Sequence, residues 1–121
     1  MAATMGTSSQ ALRRGTTPTL VLRVSGADLT DAGKWPVVWL TVRDVRGNHL
    51  YVGRDGLSIA PADGGCEVTA RLTQAQTLSL GGPHGGTEAM AQIRARAEDG
   101  TAIATDVAEL TVEATIMDGE V

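Results

Sequence analysis

Phenylalanine is missing from this 121-residue chain, which carries one tyrosine and two tryptophans. An aromatic-rich core is thereby excluded. Leu, Val, Ile, Ala and Met must fill the interior, with Trp35 and Trp39 as the only large anchors on offer. The chain has a single cysteine, Cys66, so no intramolecular disulfide can staple it, and folding in a reducing cytosol is expected. No apolar run approaches the ~20 residues of a membrane span. The first ten residues are small and polar and lack the charged-then-apolar order of a signal peptide. Positive charge is also scarce: ten Lys and Arg stand against fourteen Asp and Glu, a net charge of −4. No basic cluster exceeds the pair Arg13-Arg14, which argues against a nucleic-acid partner. These absences leave a soluble protein with no membrane or nucleic-acid partner as the expectation.

What is present is a repeated strand pattern. Apolar residues make up 42% of the chain, enough for one core. From Thr19, Leu20, Leu22 and Val24 alternate with Val21 and Arg23. Residues 37–43 are the strongest strand, with Val38, Leu40 and Val42 on one face and Val37, Trp39, Thr41 and Arg43 on the other. Both faces are apolar at its start, which suits a central strand. Arg46-Gly47-Asn48 then supplies a tight turn, and residues 49–52 return as a hairpin. Short strands follow at residues 57–59 and 67–72. Thr73 followed by Gln76 is a capping-box signature, which predicts one or two helical turns over residues 74–80. Ala89, Ala91, Ile93, Ala95 and Ala97 mark a long strand. Glu98-Asp99-Gly100-Thr101 turns it, and residues 101–116 run back with a bulge near Thr105-Asp106 that resets side-chain parity. Seven or eight strands in about 100 residues predict an all-β, immunoglobulin-like antiparallel β-sandwich with one short helical turn. The expected layout is a flexible leader at residues 1–12, one sandwich domain at 13–116 and a short tail at 117–121.

Candidate chemistry is thin. The glycine run around His84, residues 81–86, lacks the Gly-Lys-Ser/Thr ending and the following helix of a phosphate loop, and reads as a flexible connection. His49, His84 and Cys66, with Asp55 or Asp63, show no metal-ligand spacing. The neighbours of Cys66, Gly65 and Glu67, supply no activation, there is no Gly-x-Ser-x-Gly elbow, and Asp118 and Glu120 fall in the tail. No catalytic residue, metal site or cofactor is expected, and the chain reads as no enzyme. Trp35, Trp39 and Tyr51 are the one candidate interface or ligand platform, with a core position favoured for Trp39 because so few large residues are available. Arg94, Arg96 and Glu98, with Glu109 and Glu113 on the returning strand, predict cross-strand charge pairs on a solvated face.

Four stretches resemble a group of small proteins encoded in bacteriophage and prophage structural-gene clusters. They are Arg14-Gly15-Thr16-Thr17-Pro18-Thr19-Leu20, Leu72-Thr73-Gln74, the pair Ala91-Gln92-Ile93-Arg94-Ala95 and Asp99-Gly100-Thr101-Ala102-Ile103-Ala104, and Asp118-Gly119-Glu120. The likeness covers residues 13–121 in order, and in outline it resembles the small β-domains of phage baseplates and tail adaptors. It implies a virion component made in the host cytoplasm, tail or baseplate associated. Its partners would be copies of itself as a homo-oligomer and other virion proteins. A head decoration or head–tail joining protein would share these features. An alternative of another class is a carbohydrate- or surface-binding module built on Trp35, Trp39 and Tyr51.

Overall fold

A computed structural model describes residues 4–7, 11–81, 87–114 and 119–121. The expectations for His84 and the rest of residues 82–86, for the strand end at 115–116, for Asp118, and for the leader at 1–3 and 8–10 lie outside these residues.

Ten strands are present among the described residues, and they form two sheets. The smaller sheet runs in the order β1 (Thr4–Thr7), β3 (Thr19–Ser25), β7 (Gly65–Arg71), β6 (Leu57–Ala62). The larger runs β2 (Ala11–Arg13), β10 (Ala108–Glu113), β8 (Thr87–Arg96), β4 (Val37–Asp44), β5 (His49–Gly53), with β9 (Ala102–Ala104) also paired to β8. The order β1-β3-β7-β6 packed with β10-β8-β4 is the strand arrangement of a constant-type immunoglobulin sandwich, to which β2, β5 and the short β9 are added in the larger sheet. The larger sheet is mixed, because β2 pairs parallel to β10 while its other pairings are antiparallel.

The sandwich draws in residues that the sequence left to a leader. Thr4–Thr7 pairs with β3, Ala11–Arg13 pairs with β10, and Leu12 is fully buried. Three residues at β2 carry too short a pattern to be read locally; what holds them is the neighbouring edge of β10.

Period-two alternation builds the core. Leu20, Leu22 and Val24 of β3 point inward, as do Val38, Leu40 and Val42 of β4 and Ala89, Ala91, Ile93 and Ala95 of β8. Eight Leu and Ile side chains, Leu29, Leu72 and Leu80 among them, are essentially sealed from solvent. Trp35, two residues ahead of β4, is the one large aromatic in this interior. The central position expected for the 37–43 strand is observed, since β4 lies between β8 and β5.

The returning strand shows the bulge. Arg94 pairs with Ala104, and Ala91 pairs with Ala108. Three steps along β8 thus oppose four along its partner, which is one extra residue. Ile103 and Thr105 turn inward before it; Ala108, Leu110 and Val112 turn inward after it. Thr105 locks the site. Its Oγ1 accepts from the Ile93 N–H at 3.0 Å, and the Gln92 amide donates to its carbonyl at 2.8 Å.

The capping box forms as expected at α1 (Gln74–Leu78). Thr73 Oγ1 accepts from the Gln76 N–H at 3.1 Å, and Gln76 Oε1 accepts from the Thr73 N–H at 2.9 Å. The buried Thr77 hydroxyl accepts from the Gly15 N–H at 3.0 Å, fastening the helix to the entry of β3. Gly47, at φ 93°, supplies the left-handed residue of the β4–β5 turn that an L side chain adopts only with strain.

Candidate functional site

The structure divides the candidate platform residues: Trp39 and Tyr51 stand on the outer face of the larger sheet, and Trp35 does not. Trp35 is buried and belongs to the core. Trp39 is 48% exposed and Tyr51 56% exposed, so the core position favoured for Trp39 is corrected. The reason is parity. Val38, Leu40 and Val42 already face inward, and Trp39 must then point out. The scarcity of large residues did not force it inside, because Leu side chains fill the interior instead.

Trp39 and Tyr51 sit edge to face, with ring centroids 6.5 Å apart and planes at 83°. Gly53 lies directly opposite Trp39 on β5, and a Cβ there would stand 3.2 Å from two indole ring atoms. The indole therefore covers a glycine that has no side chain of its own to shield the sheet. His49 stacks obliquely on Tyr51 at 4.9 Å. The aromatic surface is a corner, not a flat shelf. A shallow depression of about 320 Å³ opens beside Trp39, lined by Pro36, Gly53 and Asp55 among others. A second, of about 410 Å³, lies mid-face between Thr41, Tyr51, Gln92 and Val107.

The register corrects the charge ladder. Arg94 and Arg96 oppose Ala104 and Ala102, while Glu109 opposes Met90. The extra residue at the bulge, together with the hairpin register, carries the carboxylates away from these arginines. Glu113 instead pairs with Arg13 of β2 at 2.7 Å. Neither Arg94 nor Arg96 forms an ion pair among the described residues.

The other candidates are held apart. His49 is exposed at the β5 end, and Cys66 is buried in β7. Burial pushes the Cys66 thiol up, against a smaller opposing hydrogen bond from the Leu29 backbone, so the thiolate needed for nucleophilic attack is disfavoured. Among the described residues, no three His, Cys, Asp or Glu side chains stand close enough to hold a metal ion.

Three buried or half-buried charged residues escaped the sequence reading, and all three serve loops. Asp44 is almost fully buried at the end of β4. Its Oδ1 accepts from the Arg46 and Asn48 N–H groups, and its Oδ2 accepts from Gly81 N–H at 2.7 Å and the Asn48 amide at 3.0 Å. Burial alone would raise its pKa; these bonds outweigh it and hold the carboxyl below its ordinary value. Arg14 donates to the Leu78 and Leu80 carbonyls at the end of α1. Arg54 donates to the carbonyls of Leu29, Thr30 and Trp35. Only Asp44 had a local signal: an aspartate just ahead of Arg-Gly-Asn is a side-chain-capped turn.

The chain matches no protein-family model, and no curated protein matches it.

Proposed function

We propose that this protein is a non-enzymatic structural component of a bacteriophage particle, tail or baseplate associated, which works by symmetric oligomerisation. The reading is supported by the resemblance over residues 13–121 and by one observation above the others. Trp39, Tyr51 and Val107, each about half exposed, share the outer face of the larger sheet with half-buried Met90 and Gln92. Exposed aromatics and aliphatics gathered on one sheet face are the mark of a surface that docks. Among the described residues, those with reactive potential stand apart or sealed, which favours binding over chemistry.

Light scattering on the purified chain, with electron microscopy of assemblies, tests the reading. Discrete oligomers and association with phage particles are expected. A strict monomer at high concentration that never associates with particles would overturn it. Neighbouring reading frames on the source DNA separate tail from head: tape-measure and baseplate genes favour the former, capsid and portal genes the latter.

A second reading, a carbohydrate- or surface-binding module, draws support from the depression beside exposed Trp39. Under it, Trp39 emission shifts on addition of glycans. An emission spectrum unchanged across a glycan panel removes it.

A further inference from the structure

We infer that the outer face of the larger sheet docks against a second copy of itself, with the two-fold axis lying in the interface, perpendicular to the strands, at the level of Gln92. This rests on the oligomeric reading above and names its surface. The first support is the charge order along β8. Its outward side chains run Glu88, Met90, Gln92, Arg94, Arg96: acidic at one end, neutral in the middle, basic at the other. β8 is also the middle strand of the five-strand path. A sequence of that kind complements its own reversal.

The measured register carries the reversal across the face. Gln92 lies level with Thr41, and Thr41 with Tyr51, so these three sit on the axis. The row of Trp39 and Arg94 then faces the row of Arg43 and Met90 of the second copy. Glu88 meets Arg96 of the second copy, and the same contact recurs by symmetry. Trp39 meets Arg43, a cation beside the most electron-rich aromatic face. Tyr51 meets its own counterpart. The other in-plane two-fold, along the strands, sets Glu88, Arg94 and Arg96 each against itself. Three like-charge contacts then disfavour that arrangement.

Area is the second support. Strands ~4.8 Å apart and a ten-residue middle strand give a face of roughly 20 by 30 Å, on the order of 600 Å² in footprint. That approaches the ~800 Å² per partner of a stable interface.

The test uses the full chain at low salt, with mass read by sedimentation equilibrium. Glu88→Arg and Arg96→Glu are both exposed changes, and circular dichroism melts check that each variant folds. Each alone sets like charges together twice, and the dimer dissociation constant should rise about tenfold or more. Mixed in equal amounts, the two variants regain opposite charges at both contacts and should associate with each other. The double variant E88R/R96E should recover self-association. Wild-type association with no response to either single variant overturns this interface and leaves the oligomeric reading standing. Weakened single variants without rescue by mixing or by the double variant overturn the proposed axis. A wild-type chain that stays monomeric overturns this interface, and one that also never associates with phage particles overturns the oligomeric reading.

Discussion

Replacing Asp44 with asparagine exchanges one oxygen for an NH2 group and should cost as much as a modest core truncation. The carboxylate accepts four hydrogen bonds, two on each oxygen. An amide has one acceptor oxygen, so whichever way it turns, its NH2 meets two donors. On one side those are the Arg46 and Asn48 backbone N–H groups; on the other, Gly81 N–H and the Asn48 amide. Two donors left unpaired at a nearly sealed position cost ~1–1.5 kcal/mol each, giving about 2–3 kcal/mol. For a chain of this length that corresponds to a fall in melting temperature on the order of 10 °C. The loss should also depend on pH. The folded-state pKa lies below the unfolded one, so the Asp44 contribution is complete above the ordinary carboxylate range, near pH ~4. It disappears as pH falls through the depressed folded value. Urea titrations of wild type and D44N, from pH 7 down to pH 2, should show a gap that narrows only in acid. A gap under ~1 kcal/mol at pH 7, or one unchanged in acid, would refute the reasoning.

Gly65→Ala should lower the urea midpoint sharply, by about 3 kcal/mol of stability, since a Cβ there would collide with the Val24 carbonyl oxygen across the β3–β7 ladder. Thr73→Ala removes the side-chain half of the capping box and should cost about 1 kcal/mol, read by the same titration. Iodide should quench roughly one of two tryptophan components in the native protein, and Trp39→Phe should leave a blue-shifted emission that resists quenching, from Trp35. Cys66 should fail to react with a thiol reagent at pH 8 until the chain is unfolded; prompt reaction of the native protein would contradict its burial.

The sandwich was legible because period-two alternation is a local property. Leu20, Leu22 and Val24, and Val38, Leu40 and Val42, announce their faces within seven residues. The capping box at Thr73 and the parity reset near Thr105 were legible for the same reason, each being written within a few neighbouring positions. The outer face was harder to read. Composition alone favoured Trp39 inside, and only its place in the alternation with Val38 and Leu40 puts it out. The charge ladder failed because a pattern on one strand does not state its offset against the next. Arg94 and Arg96 were expected near carboxylates, and the register gives them alanines.

From sequence alone came the class of fold, the principal strands, the capped helical turn and the place of the bulge, because each depends on residues a few positions apart. Tertiary structure decided which distant segments meet. It brought Leu12 into the core through a parallel pairing with β10, set Asp44 under Gly81 and Arg54 under the 29–35 loop, and aligned Glu88, Gln92 and Arg96 with Thr41 and Tyr51 on one open face. Those contacts span tens of residues, and their register is chosen by the packing of the whole sandwich, which no local window contains.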